Sequence, residues 1–145
     1  MLNSQDFSQN FRKLIDSLQM IPHNDLVVYA KDKSSSKSGP ISRFRSNFIG
    51  VSRNGSNWQS LITINKRKTY IASYSQEAQA ALSFDFYSIL LNGLNAITNF
   101  SYTRSELMEM LKIYKQNDDF FRCDTEAYPI LQSILQQANG AKMAV

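Results

Sequence analysis

Residues 47–102 decide the fold: N-F-I-G-V-S-R-N-G-S-N-W-Q-S-L-I-T-I-N-K-R-K-T-Y-I-A-S-Y-S-Q-E-A-Q-A-A-L-S-F-D-F-Y-S-I-L-L-N-G-L-N-A-I-T-N-F-S-Y. They read as three short strands and then one helix. Phe48-Ile49-Gly50-Val51 is a β-favouring run and the first expected strand. Asn54-Gly55 is a hairpin turn signal, because both residues tolerate positive φ. From Trp58 to Ile64 the chain alternates, with Trp58, Ser60, Ile62 and Ile64 on one face and Gln59, Leu61 and Thr63 on the other. Asn65-Lys66-Arg67 reads as the next turn. Lys68–Tyr74 reads as a third strand, with Thr69, Ile71 and Tyr74 inward and Lys68 and Tyr70 outward. A helix over 76–92 follows, capped by Ser75 or Ser73, with Ala78, Ala81, Leu82, Phe86, Ile89 and Leu90 as its apolar positions. Gly93 suits the left-handed position after it.

Working outward, Phe7, Phe11, Leu14, Ile15 and Leu18 form the stripe of an amphipathic helix over 5–19, with Ser4 as its expected N-cap. Leu26–Tyr29 is a short β-favouring run. Residues 31–42 are polar and punctuated by Gly39-Pro40, which predicts a loop. Past Tyr102, Thr103 and Glu106 make a capping-box signature ahead of Leu107, Met108, Leu111 and Tyr114. Asn117-Asp118-Asp119 breaks that helix. A last helix, capped by Asp124 or Thr125, carries Ile130, Leu131, Ile134 and Leu135 and is expected to end at Asn139-Gly140. The expected organisation is an N-terminal helical extension at 1–30, a basic flexible loop at 31–46, a sheet-and-helix domain at 47–102 and a C-terminal helical extension at 103–145. The fold class is α+β: a three-stranded antiparallel sheet on one helix, with additional terminal helices. The terminal stripes need a surface, either the chain's own or another protein's.

Charge is unevenly spread. The chain's net charge is +4, yet residues 30–70 hold nine lysines and arginines against Asp32 alone, a balance of +8. Such a segment is the footprint of a polyanion-binding surface or of a solubilising, lysine-rich loop. Residues 1–6 lack the basic and apolar regions of a signal peptide, and no apolar run approaches the ~20 residues of a membrane span. A single cysteine, Cys123, excludes an internal disulfide and fits an incidental or structural thiol. The lone His23 has no nucleophile motif beside it and reads as a surface histidine. Asp118 and Asp119 lack the ligand spacing of a calcium loop. No catalytic residue, metal or cofactor is expected.

Several spacings converge on one family. Phe48–Val51 resembles the Y-R-G-V opening of the AP2/ERF DNA-binding domain, and Trp58 matches the aromatic that begins its second strand. Tyr70–Tyr74 resembles its W-L-G-T-F. Ala80, Ala81, Phe84 and Asp85 match A-A-x-A-Y-D, with Ser83 at the third alanine. Gly93, Ala96, Asn99 and Phe100 match G-x-x-A-x-x-N-F. The resemblance covers about 55 residues, under half of the chain. It implies a binding protein and not an enzyme, a nuclear location, and docking of the sheet in the major groove of double-stranded DNA.

The outward face it implies is Ser52, Asn54, Gln59, Leu61, Thr63, Lys68 and Tyr70. Ile49, Ser52, Asn54 and Thr63 stand where plant members carry arginine, Leu61 at a glutamate, Lys68 at an arginine and Tyr70 at a tryptophan. Arginine is the side chain best shaped for bidentate guanine contact. This face therefore suits AT-rich or weakly specific binding, with Asn54 and Gln59 able to pair with adenine and Thr63 able to touch a thymine methyl. Phosphate contacts fall to Lys66, Arg67, Lys68, Arg53, Arg43 and Arg45. The terminal helices leave room for other protein subunits. By analogy, the chain looks like an accessory subunit of a nuclear transcription or DNA-modifying complex, such as an adenine methyltransferase assembly. A protein-interaction subunit that keeps the fold and has lost DNA reading is the alternative.

Overall fold

A computed structural model describes residue 2 and residues 5–31 and 46–143, with side chains described as far as residue 138. In chain order the elements are α1 (Ser8–Gln19), β1 (Leu26–Val28), β2 (Val51–Asn54), β3 (Asn57–Ile64), β4 (Arg67–Tyr74), α2 (Glu77–Asn92), a single 3-10 turn (Gly93–Asn95), β5 (Tyr102–Thr103), α3 (Arg104–Gln116) and α4 (Pro129–Met143). The expected α+β class holds. Strands β2, β3 and β4 form one antiparallel sheet in that order, packed on α2.

The sheet's turns follow backbone chemistry closely. Arg53 pairs with Trp58 and Asn54 with Asn57, so the first turn is Gly55-Ser56 and not Asn54-Gly55. Gly55 alone there has positive φ, at 64°, which is the type II′ arrangement. Ile64 pairs with Arg67, leaving Asn65 (φ 52°) and Lys66 (φ 67°) as a type I′ turn and Arg67 as a strand residue. Between Tyr70 and Ala72 the register slips by one residue, because Leu61 pairs with Tyr70 while Ser60 pairs with Ala72. This bulge puts Ile71 and Ala72 both on the buried side and restores Tyr74 to it.

The first strand begins at Val51 rather than Phe48. Ile49 cannot join the ladder, since both its backbone groups bond to the Asn99 side chain. Its N–H donates to Oδ1 at 2.7 Å and its carbonyl accepts from Nδ2 at 3.0 Å. Gly50 then turns with φ 78°. A Cβ there would fall 2.1 Å from Cδ1 of Phe84, so only glycine fits.

Helix α2 is buried on every side from Ala80 to Leu90. One flank lies on the sheet; α1 and α4 pack elsewhere on it, and α3 packs on α1 and β5. The terminal stripes are thus consumed within the chain. Phe7, Leu14, Leu18, Leu107, Met110, Leu111, Ile113, Tyr114, Leu131 and Ile134 are all buried in one core with the sheet residues. Behind α2, Phe86 stacks on Phe121 at 4.4 Å and meets Tyr114 at 5.2 Å. Deleting such a ring costs about 3–5 kcal/mol. The hydroxyls of Tyr87 and Tyr74 accept the N–H groups of Phe121 (3.0 Å) and Cys123 (2.9 Å), which ties the C-terminal segment to α2 and β4. Leu26 and Val28 of β1 pair with Thr103 and Tyr102, a two-stranded ribbon that the sequence did not announce.

Several expected caps differ. Ser4 lies outside the described residues; at the start of α1, Asp6 Oδ1 accepts the Ser8 N–H (3.0 Å) and hydroxyl (2.6 Å). Neither Ser73 nor Ser75 caps α2, whose N-cap Gln76 makes no side-chain bond. Instead Glu77, in the first turn where a negative charge is favoured, accepts from the Asn47 N–H (3.2 Å) and the Ser46 hydroxyl. Asp124 takes the Glu126 and Ala127 N–H groups in a turn ahead of α4, which starts at Pro129 and continues through Asn139-Gly140 to Met143. The Thr103–Glu106 capping box is present.

Asp85 is the central polar feature. Oδ1 accepts from Asn99 N (2.7 Å) and Asn99 Nδ2 (3.1 Å), and Oδ2 accepts from Phe100 N (2.9 Å) and the Tyr102 hydroxyl (2.7 Å). Burial pushes its carboxyl up to about 7, and the four donors pull the other way. Between its ordinary value of 3.8 and that level the folded state holds more protons than the unfolded one. Stability therefore falls as pH rises through that window. Asp85→Asn abolishes this slope and sets an amide N–H against the Phe100 N–H. Denaturant unfolding of both proteins at acidic and neutral pH checks this, and equal slopes would contradict it. Gly50→Ala, judged by the same measurement, is expected to lose about 3 kcal/mol or more, because positive φ and the Phe84 clash add.

Candidate nucleic-acid interface

Cross-strand partners share a face, so the register assigns every side chain of the sheet. The outer face carries Ser52 and Asn54 from β2, Asn57, Gln59, Leu61 and Thr63 from β3, and Lys68, Tyr70 and Ser73 from β4. All of them are exposed or half-exposed. The largest, Tyr70, is 51% exposed. Two bonds order the surface: Gln59 Nε2 donates to Ser52 Oγ at 3.2 Å, and the Tyr70 and Ser73 hydroxyls pair at 2.9 Å. Strands spaced ~4.8 Å apart place β2 and β4 about 10 Å from each other, a width comparable with the ~12 Å major groove.

The expected site residues separate into groups. Asn54, Gln59, Thr63, Lys68 and Tyr70 come together on the outer face. Lys66 sits on the β3–β4 turn beside Lys68. Arg67 takes the opposite register, level with Ile64. Arg53 also takes the inner register, at the other end of the sheet. Its guanidinium lies 5.4 Å over the Trp58 ring and its Nε donates to Gly55 O at 3.1 Å. Arg53 and the 66–68 triplet therefore flank opposite ends of β3, roughly 25 Å apart along eight residues. Arg43 and Arg45 lie outside the described residues.

The structure adds residues that the sequence reading passed over. Lys31 is exposed, and its N–H donates to Thr98 O at 2.9 Å, which fixes the chain there. Its side chain shares a groove of about 1020 Å³ with Ser52, Leu61, Thr63 and Lys68 at the β2 edge of the sheet. Asn57 and Ser73 join the outer face through the ladder, a placement legible only once the turn positions are known. Residues 46–76 contain Arg53, Lys66, Arg67 and Lys68 and no aspartate or glutamate. Among the described residues the one ion pair is Lys115–Asp119, so no carboxylate neutralises the sheet's cations.

Other candidate chemistry is weak. His23 is exposed. Cys123 is buried, and burial pushes its thiol up to about 12, so it is a poor nucleophile. Among the described residues no group of three or more His, Cys, Asp or Glu side chains could hold a metal ion, and no helix is long and apolar enough to cross a membrane.

Similarity to curated AP2-like transcription factors, at 26–29% identity over 64–71% of the chain, supports a divergent AP2/ERF-like domain. The chain is similar to two Arabidopsis thaliana proteins, the AP2-like ethylene-responsive transcription factor PLT2 (29% identical over 107 residues, 71% of this chain and 18% of the relative) and the AP2-like ethylene-responsive transcription factor ANT (28% over 104 residues, 69% and 18%). The ethylene-responsive transcription factor WRI1 of the same plant is 26% identical over 97 residues, 64% of this chain and 22% of the relative. The chain spans less than a fifth of the length of the first two. No protein-family profile matches it.

Lys66 occupies a backbone position, φ 67°, where glycine is the unstrained choice. Local strain of this kind concentrates at functional sites. Lys66→Gly is expected to stabilise the fold by about 1 kcal/mol, read as a raised denaturation midpoint. A lowered midpoint would show that Lys66 stabilises the turn by contacts of its own.

Proposed function

We propose that this chain is a double-stranded DNA-binding module that lays the outer face of β2–β4 in the major groove and grips phosphates with Lys66, Arg67, Lys68 and Lys31. Arg53 extends that grip along one flank, and Arg43 and Arg45 add further phosphate contacts. The observation that carries the reading is an open, acid-free sheet face bordered by cations that have no carboxylate partner among the described residues. The relatives' names, all transcription factors, support a role in transcription and hence a nuclear location. The module binds; it does not catalyse. Sequence specificity is weak, because Lys68 is the only cation in the outer register. Within a transcription-regulating or DNA-modifying complex, an adenine methyltransferase assembly included, it serves as an accessory subunit that supplies the hold on DNA.

A second reading, a protein-interaction module that has lost DNA reading, is favoured by one observation. Met20, Leu26 and Tyr29, in the α1–β1 connection and on or beside β1, are 83%, 43% and 62% exposed.

Titration of a mixed-sequence duplex against salt separates the two. Affinity is expected to fall with salt, with a log–log slope of about −0.9 for each phosphate contacted. Lys66→Glu with Arg67→Glu is expected to weaken every duplex alike and to flatten that slope by about two contacts. Absence of binding at low salt would overturn the DNA reading and leave the protein-interaction reading in its place.

A further inference from the structure

The outer face is divided lengthwise. Toward the β2–β3 turn it offers amides and hydroxyls: Ser52, Asn54, Asn57, Gln59 and Ser73. Toward the β3–β4 turn it offers methyl-bearing and aromatic surface: Leu61, Thr63 and Tyr70. Gln59 stands on the central strand, across from Ser52 on β2 and Ser73 on β4. It is half-buried, and its Nε2 gives one hydrogen to Ser52 Oγ at 3.2 Å. That bond fixes the plane of the amide. One N–H and the carbonyl oxygen are left, a donor and an acceptor side by side.

A donor and an adjacent acceptor complement adenine in the major groove, where N7 accepts and the N6 amino group donates. Guanine offers two acceptors at the same edge and asks for two donors, which an amide tethered to Ser52 does not supply. Two residues farther along β3, Leu61 presents methyl groups, and two farther still Thr63 presents one. Residues of one face recur every ~6.6 Å, about two base-pair steps of ~3.4 Å. Thymine is the base that presents a methyl group in that groove. Lys68 can contact guanine, but its cross-strand neighbour is Thr63 at the margin, beside Lys66, where phosphates pass.

Resting on the DNA-binding reading above, we propose that Gln59 reads adenine through N7 and N6 while Leu61 and Thr63 contact thymine methyls, making this face selective for A·T pairs over a footprint of about six base pairs. The preference is modest, since one bidentate contact carries most of it.

Fluorescence anisotropy of the full chain against equal-length duplexes, one with an A·T centre and one with a G·C centre, tests this. The A·T duplex is expected to bind at least about five-fold more tightly. Replacing adenine by 7-deazaadenine, which lacks the N7 acceptor, is expected to erase most of that preference. Gln59→Ala is expected to erase the same part of the preference, with no further loss of preference when both changes are combined. Replacing thymine by uracil is expected to weaken wild type about two-fold or more. Equal affinity for the two centres overturns the inference and leaves the DNA-binding reading intact. An A·T preference indifferent to 7-deazaadenine also overturns it, because the selectivity then lies outside the major groove. The modified duplexes need no variant protein, so the test stands even if Gln59→Ala folds poorly. Loss of binding to every duplex would sink the underlying reading instead.

Discussion

A carboxylate shut off from solvent between two elements and met by four donors is the constraint on which the rest of the structure depends. Asp85 stands in the middle of α2, fully buried, and gathers the Asn99 and Phe100 N–H groups, the Asn99 amide and the Tyr102 hydroxyl. Asn99 passes the connection on to both backbone groups of Ile49. One side chain thus fixes three things: the path after α2, the start of β5 and the approach to β2. Gly50 comes next, pressed against Phe84 one residue before Asp85. The sheet's first edge is therefore positioned by α2 itself and not by the ladder alone. The arrangement is costly, since burial opposes ionisation, and the donors are what make an ionised Asp85 tolerable there.

From that anchor the division of surfaces follows. α2 has no polar face to give to solvent between Ala80 and Leu90, so it must be covered all round. The sheet covers one flank. The terminal helices, with Phe121 and Tyr114 stacked around Phe86, cover the rest. Because those helices spend their apolar stripes behind α2, the sheet's other side keeps its polar side chains exposed. An open platform is a consequence of where the helices went. The same packing explains why the interface is mild in charge: the inner-register cations, Arg53 and Arg67, border it at the two ends of the sheet, and Lys68 is left as the cation of the face itself.

Much of this was legible in the residues. Period-two alternation marked β3 and its faces correctly, and the family spacings from Ala80 to Phe100 included Asp85, Asn99 and Phe100, though not the bonds that join them. The errors were local and physical. Phe48-Ile49-Gly50 has strand propensity, but Asn99 claims Ile49's backbone groups, and side-chain capture over fifty residues leaves no local signal. Asn54-Gly55 looks like a turn pair, yet the register places the bend one residue later. That shift leaves Asn54 in the outer register and shows Arg53 to be on the inner one. Tyr74 does lie inward as expected, but by way of the bulge at Ile71, since a strict two-residue period would have turned Ser73 inward instead. Hydroxyl caps were expected at α2, whose first turn has no side-chain cap; its Glu77 binds the Asn47 N–H instead. Lys31 was counted for its charge only, because nothing in the sequence places the residues around 31 beside the β2 edge.

The central claim is that the outer side of β2–β4 is the surface that meets DNA. Backbone amide NMR of the labelled protein, titrated with a short duplex, tests it most directly. Shifts are expected to concentrate on Ser52, Asn54, Asn57, Gln59, Leu61, Thr63, Lys68 and Tyr70 and on the Lys66 turn, with α3 and α4 silent. Shifts centred on α3, α4 or the β1 ribbon, with the sheet unmoved, would contradict the account.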